Sequence, residues 1–306
     1  MRFRLSGPAG MIALMALPCQ LRVVACAELQ KPPVPEPVTF ESRGATLAGD
    51  IVFGREAHAA AALVLVAGSG RTERMLNVAR LLAGNGFVVL TYDKRGVGQS
   101  GGVYWGHDPK HPNIAAANLD LLASDAAAAL GKLMQNSRAK GLPAGFVGFS
   151  EAGWIIPMAA LKAPRTEFIG LWSGPACTVD EQLYFQNWAA NAPTFWASHS
   201  ALAVSAKLGS IAHGANDVDP QNTLSKLRIP GFWVFGADDR SVPVELSETR
   251  LLRLMRDGHP FQYEVIPGYG HNVVDTGHAP ALEDMAAWIK RIAWQKRGWA
   301  RGHNGK

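Results

Sequence analysis

The apolar positions of this chain fall into short continuous runs that alternate with longer amphipathic stretches. The continuous runs are typical of strands buried on both faces, because a strand packed on one side would alternate apolar and polar residues. Such an order predicts a mostly parallel sheet with helices on both faces and a site beyond the carboxyl ends of the strands. The predicted strands are residues 62–66, 87–90, 144–147, 168–171, 232–235 and 262–266, and the predicted helices are residues 75–83, 119–134, 246–255 and 281–292.

Two regions depart from this rhythm. Residues 38–42 and 45–53, joined through Arg43 and Gly44, predict an antiparallel hairpin at one edge of the sheet. Residues 178–228 show no clear strand and predict a small helical cap inserted over the site. Two roles stay open for the aromatic side chains of this segment: they line an acyl or aromatic pocket, or they join the cap to the sheet. These side chains are Tyr184, Phe185, Trp188, Phe195 and Trp196.

The composition is that of a globular protein. Of the 306 residues, 48% are hydrophobic and 18% are charged, whereas a disordered chain would need the opposite balance. An α/β fold of this length often forms one domain with a single large core. We therefore expect residues 38–306 to form one α/β domain that includes the cap.

The first residues have the profile of an export signal. Arg2 and Arg4 precede an apolar run at residues 7–18, which is too short to span a bilayer, since a spanning helix needs about 20 apolar residues. An Ala-Cys-Ala sequence at residues 25–27 matches a cleavage site. Residues 1–27 are therefore predicted to be a signal peptide.

The segment around this cleavage site bears on the expected location. Residues 23–26 also resemble a bacterial lipobox, with Cys26 as the lipidated residue. Residues 28–37 are rich in proline and predict an extended linker ahead of the folded domain. We expect a secreted or periplasmic protein without stable membrane insertion after processing, with a lipoprotein as the alternative.

Processing would also change the cysteine content and the charge. A mature chain would keep Cys177 alone and could form no internal disulfide. Loss of Arg2, Arg4 and Arg22 would lower the formal net charge from +5 by three. Part of the positive net charge therefore belongs to the predicted signal peptide, and we expect no nucleic-acid partner.

A serine lies where a strand is expected to turn sharply into a helix. Residues 148–153 read Gly-Phe-Ser-Glu-Ala-Gly, between an apolar run and a buried helical stretch. A turn of this kind holds Ser150 in a strained backbone conformation with its hydroxyl exposed, and small residues around it let strand and helix approach closely. The free N–H groups and the positive dipole end of the helix would stabilise an oxyanion there.

This hexapeptide resembles the nucleophile elbow of α/β-hydrolases, with alanine in place of the second glycine of G-x-S-x-G. The resemblance implies a carboxylate three residues beyond a glycine and four before a proline, which selects Asp239 and leaves Asp238 as the competitor. It also implies a histidine after the last strand, which selects His271, with His278 as the fallback. The order of serine, acid and histidine along the chain is that of α/β-hydrolases.

Two backbone N–H groups are expected to hold the oxyanion. A glycine-rich turn at residues 68–70 follows a predicted strand and lets N–H groups point inward without obstructing side chains. By resemblance to the corresponding loop of the family, Ser69 supplies one donor and Glu151 the other. Gly70 is the alternate for Ser69.

Residues 92–102 are similar to the tight loop that follows the next strand in many α/β-hydrolases. Residues 96–101 also match the G-x-G-x-x-G fingerprint of dinucleotide sites, but that fingerprint requires a helix to start at once, and the residues that follow are typical of a loop. His107, Asp108 and His111 lie on that loop, where nothing rigid would present them to a metal ion. We expect neither a cofactor nor a metal.

Together the motifs are similar to those of bacterial secreted serine esterases. The resemblance covers residues 40–295 and implies cleavage of a small-molecule carboxylic ester by a Ser-His-Asp triad through an acyl-enzyme intermediate. A serine peptidase or an acyltransferase would use the same triad, and a non-catalytic binding module would keep the fold without turnover. These alternatives stay open at the level of the sequence.

Overall fold

The chain folds around a single eight-stranded sheet. A computed structural model describes residues 35–55, 58–106, 113–214, 217–274 and 280–303, with side chains described to residue 296 in the last range. The strands are β1 (Pro35–Ser42), β2 (Ala45–Phe53), β3 (Ala61–Val66), β4 (Phe87–Tyr92), β5 (Ala144–Phe149), β6 (Phe168–Trp172), β7 (Gly231–Gly236) and β8 (Phe261–Ile266). Their order is β1-β2-β4-β3-β5-β6-β7-β8, and all neighbours pair parallel except β1 with β2 and β2 with β4.

Helices cover both faces of this sheet. The described residues form α1 (Leu76–Gly84), α2 (Ala116–Leu133), α3 (Ala152–Lys162), α4 (Val179–Ala189), α5 (Phe195–Ser198), α6 (Ala201–Leu208), α7 (Gln221–Leu224), α8 (Val244–Arg256) and α9 (Pro280–His303). The sheet lies between α2, α3 and α8 on one face and α1 and α9 on the other, with an apolar cluster on each face. β3, β4, β6 and β7 are buried at every position, which is why they appear as continuous apolar runs. The predicted α/β-hydrolase architecture is confirmed.

The predicted elements differ from the observed ones mainly at their ends. α9 continues to His303, whereas the apolar pattern predicts its end at residue 292. Burial explains the difference, because Ala293 is still buried while Trp294 is 76% exposed. A helix that leaves the core loses the apolar periodicity by which a sequence reveals it.

β1 and β2 form the predicted edge hairpin. Arg43 and Gly44 occupy its turn with φ of 45° and 76°, the left-handed pair that a two-residue hairpin turn requires. β1 begins at Pro35, so the last residues of the predicted linker at 28–37 belong to this strand. Proline is tolerated there because β1 is an edge strand, where a missing N–H need not serve a neighbour.

Residues 178–228 contain α4 to α7 and no strand among those that the structure describes, as the sequence predicts. Their aromatic side chains pack together: Phe185 and Phe195 are buried and meet edge to face, with ring centroids 5.7 Å apart. None of the five aromatic residues lines the two described cavities that contain Ser150 and His271. α4 instead presents Gln182 and Gln186, one helical turn apart, to the site.

Several predictions concern residues outside the described ranges. The chain divides into two units, Met1–Pro32 and Pro33–Lys306, and every described residue belongs to the second. None of the described helices combines the length and apolar character needed to cross a membrane. The predictions outside the described residues are the signal peptide at 1–27 with Cys26, the linker up to residue 34, the loop residues His107, Asp108 and His111, and the fallback His278.

Candidate active site

Ser150 lies at the end of β5, where the chain turns into α3. Its φ is 49°, a left-handed conformation that is uncommon for a residue with a side chain. A Cβ added to Gly148 would lie 2.7 Å from the Cβ of Ala152, and one added to Gly153 would lie 2.6 Å from Pro175. Gly148 therefore lets β5 and α3 approach closely, and Gly153 lets α3 approach the loop after β6.

The imidazole of His271 lies between Ser150 and Asp239. Its Nε2 is 3.0 Å from Oγ of Ser150, and its Nδ1 is 2.8 Å from Oδ2 of Asp239. Asp239 is fully buried, and its Oδ1 accepts hydrogen bonds from the N–H groups of Ser241 and Val242 at 2.7 and 2.9 Å. This network assigns a proton to Nδ1, facing the carboxylate, and leaves Nε2 to accept from the serine.

The structure gives Asp238 and Asp239 different surroundings. Asp238 is exposed, and its N–H donates to the carbonyl of Tyr269 at 2.8 Å. That bond joins the loop after β7 to the loop after β8, which carries His271. The competitor identified from the sequence thus joins two loops through its backbone, while Asp239 faces the imidazole.

Two contacts that the sequence did not reveal hold these loops. Oγ of Ser173 donates to the carbonyl of His271 at 2.7 Å, and Nε1 of Trp196 in the cap donates to the carbonyl of Asp239 at 3.0 Å. Ser173 directly follows β6 and has a φ of 48°. The sequence signal for Ser173 is only that a polar residue ends a buried strand, and that for Trp196 is only that it is one of the aromatic residues of the cap.

The candidate oxyanion donors lie beside Ser150. Ser69 and Gly70 belong to the loop after β3, and they border the same cavity as Ser150, Glu151 and His271. Within the described part of the chain, the N–H groups of Ser69 and Glu151 have no hydrogen-bond acceptor. Both donors are therefore available for an oxyanion that forms next to the serine.

The side chain of Glu151 is buried and hydrogen-bonded through both oxygens. Its Oε2 lies 2.6 Å from Nζ of Lys94, and its Oε1 accepts a hydrogen bond from the amide of Asn113. Burial raises the pKa of Glu151 above its ordinary value, although the charge and hydrogen bond of Lys94 and the hydrogen bond of Asn113 oppose the rise.

The tight loop after β4 is built from buried ion pairs and glycines. Gly96 and Gly98 have φ of 70° and 54°, and no helix begins among the described residues 99–106. The loop thus lacks the helix N-terminus that a dinucleotide site requires. Its three consecutive charged residues each pair with a different part of the chain: Asp93 with Arg74, Lys94 with Glu151, and Arg95 with Asp125.

Two cavities meet at Ser150 and His271. The smaller has a volume of about 380 Å³, and its walls are mostly apolar: Met75, Val78, Phe149, Trp172 and Val274. The larger has a volume of about 490 Å³, and uncharged polar groups from Asn113, Gln182, Gln186 and Ser241 line it together with Tyr104, Trp154 and Leu183. Among the described residues that line either cavity, the one carboxylate is that of Glu151, which Lys94 neutralises.

A cluster of potential metal ligands lies away from this site, in the cap. The ligand atoms of Asp180, His213 and Asp217 lie within 4.8 Å of one another. Each is engaged by the protein itself, since Nδ1 of His213 is 2.7 Å from Oδ2 of Asp217, and Oδ2 of Asp180 accepts from the N–H of Gly214 at 2.6 Å. These bonds engage the three side chains with one another and with the backbone of the cap.

Comparison with known proteins identifies a family. Residues 57–219 match a family model described as serine aminopeptidase, S33. No curated protein matches the chain in sequence.

Solved structures with the same fold come from several organisms. The esterase Pf2001 of Pyrococcus furiosus aligns with a TM-score of 0.62 and 17% identity, over 94% of this chain and 98% of its own. An acylaminoacyl peptidase of Pyrococcus horikoshii aligns with a TM-score of 0.61 and 12% identity, over 88% of this chain and 43% of its own. The α/β hydrolase GrgF of Penicillium sp. sh18 aligns with a TM-score of 0.55 and 17% identity, over 85% of this chain and 99% of its own. At these identities the likeness establishes the fold.

Proposed function

This chain belongs to the serine aminopeptidase S33 family of α/β-hydrolases, and we propose that it is a serine hydrolase that cleaves carboxylic esters. The observation that carries the proposal is the hydrogen-bonded series from Ser150 through His271 to Asp239. A nucleophile, a base and an orienting acid within hydrogen-bond reach are the arrangement that acyl transfer to an activated serine requires.

The acylation step follows from this geometry. Nε2 of His271 takes the hydroxyl proton of Ser150 as Oγ attacks the ester carbonyl carbon, and the carbonyl oxygen becomes an oxyanion. The N–H groups of Ser69 and Glu151 stabilise that oxyanion. Asp239 holds the imidazole in the required tautomer and stabilises its positive charge. When the tetrahedral intermediate collapses, the ester C–O bond breaks, and His271 gives the proton to the departing alcohol oxygen.

The deacylation step repeats the same proton transfers with water. His271 takes a proton from a water molecule, whose oxygen attacks the acyl carbon bound to Oγ of Ser150. The intermediate releases the carboxylic acid, and the proton returns from Nε2 to the serine. All protons that move in the two steps therefore pass through one imidazole.

The two cavities favour an ester with one apolar part and one polar, uncharged part. An apolar substituent suits the smaller cavity, whose walls are mostly hydrocarbon and aromatic, and a polar group suits the amides of Gln182, Gln186 and Asn113. An aminopeptidase substrate would bring a free α-amino group, which is largely protonated at neutral pH and needs a carboxylate partner. The described lining residues offer only Glu151, which is already paired.

Ester hydrolysis by the purified protein, compared with the Ser150→Ala variant, tests the proposal. With p-nitrophenyl acetate and butyrate as substrates, we expect the substitution to lower kcat by roughly 10⁴-fold or more, because the nucleophile is lost. Equal rates for the two proteins would reject the assigned nucleophile, and equal rates that match uncatalysed hydrolysis would support a non-catalytic module.

Peptide bond cleavage is the second candidate, because the family model carries the name of an aminopeptidase and one structural neighbour is an acylaminoacyl peptidase. Aminoacyl p-nitroanilides with free and with acetylated amino groups distinguish the candidates when they are compared with an acyl series of p-nitrophenyl esters. We expect higher kcat/KM for the esters. A preference for the free aminoacyl anilide would replace the esterase proposal by the aminopeptidase.

An acyltransferase differs from a hydrolase only in its acceptor. Adding glycerol or a short alcohol to the ester assay measures how the acyl group is divided between water and the alcohol. We expect the carboxylic acid as the main product, and dominance of the transesterified product would assign a transferase.

Export is proposed as the setting of this activity, on the basis of the leader-like pattern at residues 1–27 and its lipobox-like end at Cys26. The mass of the protein recovered from the periplasm and from the medium of an expressing bacterium tests this. We expect loss of the leader without added lipid. A mass of the full chain would contradict export by cleavage, and a lipid adduct that Cys26→Ser abolishes would assign the lipoprotein.

A further inference from the structure

Lys94 touches both halves of the candidate oxyanion site. Its Nζ donates to Oε2 of Glu151 at 2.6 Å and to the carbonyl of Gly68 at 2.7 Å. Its backbone N–H donates to the carbonyl of Thr72 at 3.1 Å. Gly68 and Thr72 flank Ser69, the candidate donor of the loop after β3. One residue of the loop after β4 is therefore bonded on both sides of one donor and to the side chain of the other.

These contacts are buried and mutually satisfied. The side chains of Lys94 and Glu151 are 5% and 1% exposed. The second carboxylate oxygen accepts from Asn113, whose carbonyl in turn accepts from the amide of Asn118 at the start of α2. A buried polar network with all its partners present holds its members rigidly. Lys94 borders neither of the cavities at Ser150, so it has no contact with substrate there.

We propose that Lys94 is a positioning residue for ester hydrolysis, which fixes the N–H groups of Ser69 and Glu151 and neutralises the carboxylate of Glu151 beside the oxyanion. The inference rests on the proposed function. It assigns a role to a residue that the reaction scheme leaves unused, and it explains why a carboxylate directly after the nucleophile is compatible with an oxyanion.

If Lys94 acts through its charge, the two substitutions that break its ion pair with Glu151 should affect turnover unequally. A merely structural role would not predict this difference. At a pH above the raised pKa of Glu151, a carboxylate at residue 151 that has lost its ammonium partner would repel the oxyanion, because charges separated by a few ångströms in a buried site interact strongly. An uncompensated ammonium at residue 94 would not repel it. Loss of Lys94 should therefore harm turnover more than loss of the charge on Glu151, although each change removes one partner of the same ion pair.

Three variants of the full chain test this: Lys94→Met, Glu151→Gln, and the double variant. Arg95→Met is the matched control, because Arg95 lies in the same loop as Lys94 and also forms a buried ion pair, in its case with Asp125 of α2. The partners of its side chain are Asp125 and the carbonyl of Ser42, neither of which belongs to the candidate oxyanion site. The readouts are kcat and KM for p-nitrophenyl butyrate, Tm, and the rate at which a fluorophosphonate labels Ser150. Labelling requires the nucleophile and the oxyanion site but no natural substrate.

For Lys94→Met we expect kcat and the labelling rate to fall by about 100-fold, the size of effect that a displaced catalytic group produces, with KM within about threefold of the wild type. Glu151→Gln should lower kcat and the labelling rate clearly less than Lys94→Met does. The double variant should recover about tenfold of kcat relative to Lys94→Met, because groups in direct contact are coupled to this extent. Arg95→Met should lower Tm with kcat close to that of the wild type.

Two results would overturn the proposal while leaving the esterase assignment intact. One is a Lys94→Met variant whose kcat and labelling rate match those of Arg95→Met at an equal folded fraction. The other is a double variant no more active than Lys94→Met. If Lys94→Met does not fold, the comparison of Glu151→Gln with the double variant decides, since removing Lys94 there must still lower kcat by releasing the carbonyl of Gly68. Failure of the wild type to react with either the ester or the fluorophosphonate would instead reject the proposed function, and the inference with it.

Discussion

Two serines with left-handed backbone conformations close the ends of neighbouring parallel strands. Ser150 after β5 has φ of 49°, and Ser173 after β6 has φ of 48°. The N–H of Ser150 donates to the carbonyl of Trp172 at 3.0 Å, and that of Ser173 to the carbonyl of Val234 at 2.8 Å. The left-handed conformation costs about 1–2 kcal/mol for a residue with a side chain. At both positions the chain leaves the sheet while its last backbone hydrogen bond is still made.

Ser173 offers a matched pair of substitutions. Ser173→Ala and Ser173→Gly both remove the hydroxyl that donates to the carbonyl of His271, so we expect kcat to fall by about tenfold in each, because the base is less well held. Glycine relieves the left-handed strain, so Ser173→Gly should be more stable than Ser173→Ala by about 1 kcal/mol. Ester kinetics and urea denaturation measure the two effects. Normal kcat in the glycine variant would show that the hydroxyl does not hold the base.

The neighbours Asp238 and Asp239 allow a similar comparison for the acid. Asp239→Asn keeps the shape of the side chain but no longer favours the Nδ1–H tautomer of His271, so kcat should fall by roughly 10⁴-fold. Asp238→Asn is the control, because that side chain is exposed and its loop contact is made by the backbone. Steady-state hydrolysis of p-nitrophenyl butyrate measures both. Equal losses in the two variants would contradict the assignment of Asp239.

At the scale of elements, α4 connects the cap to the site. Thr178 and Glu181 form a capping box at its first turn, and Glu181 also pairs with Arg250 of α8 at 2.5 Å. The next residue, Gln182, lines the larger cavity and donates to the carbonyl of Ser241 at 2.7 Å, in the loop after β7 that carries Asp239. The start of this helix therefore sets both the stability of the cap and the position of a cavity wall.

Removing the N-terminal capping residue of α4, Thr178, should affect substrate binding. Thr178→Ala should lower the free energy of unfolding by about 1 kcal/mol, and it should raise KM with little change in kcat, because α4 lines the cavity but carries no reacting group. Ser200→Ala is the matched control, since Ser200 caps α6 by accepting from the N–H of Ala203 at 3.3 Å. α6 lines neither of the two described cavities at Ser150, so that variant should lose stability without a change in KM.

At the scale of the whole molecule, one buried ion network joins the three neighbouring strands β2, β4 and β3, which are far apart in sequence. Arg74, in the loop after β3, donates to both oxygens of Asp93 at 2.9 and 2.6 Å and to Asp50 of β2 at 2.7 Å. Burial raises the pKa of Asp93, but the hydrogen bonds from Arg74 and from the N–H of Gln99 outweigh burial, and the pKa lies below its ordinary value.

The lowered pKa of Asp93 predicts how stability depends on pH. An unfolded aspartate titrates near about pH 4, so as the pH falls below that value the unfolded chain binds the proton first, and the stabilisation from Asp93 is lost down to its folded pKa. Asp93→Asn should lower the free energy of unfolding by about 3 kcal/mol at pH 7, because it breaks the buried ion pair with Arg74. The difference in free energy of unfolding between this variant and the wild type should narrow as the pH falls from 5 to 3, as measured by urea denaturation. A constant difference across that range would contradict this role.

The sequence alone established the fold class and the identity of the motifs. Alternating buried strands and helices, the edge hairpin, and the small residues around Ser150 are local patterns, because burial on both faces or a tight turn constrains residues that are close along the chain. The candidates Ser150, Asp239 and His271 could be selected for the same reason, since each follows a strand in a recognisable loop. Their roles in catalysis remain predictions for the variants described above.

Only the tertiary structure decided what surrounds those motifs. Lys94 against Glu151, Ser173 against His271, and Trp196 against Asp239 are pairs of residues that are far apart in sequence, and they meet because parallel strands bring their carboxyl ends to one edge of the sheet. The order of strands and the packing of the cap decide which side chains face one another. A one-dimensional pattern of apolar and polar residues reports that a position is buried, but it does not specify the partner, because burial is a property of one residue and a contact belongs to two.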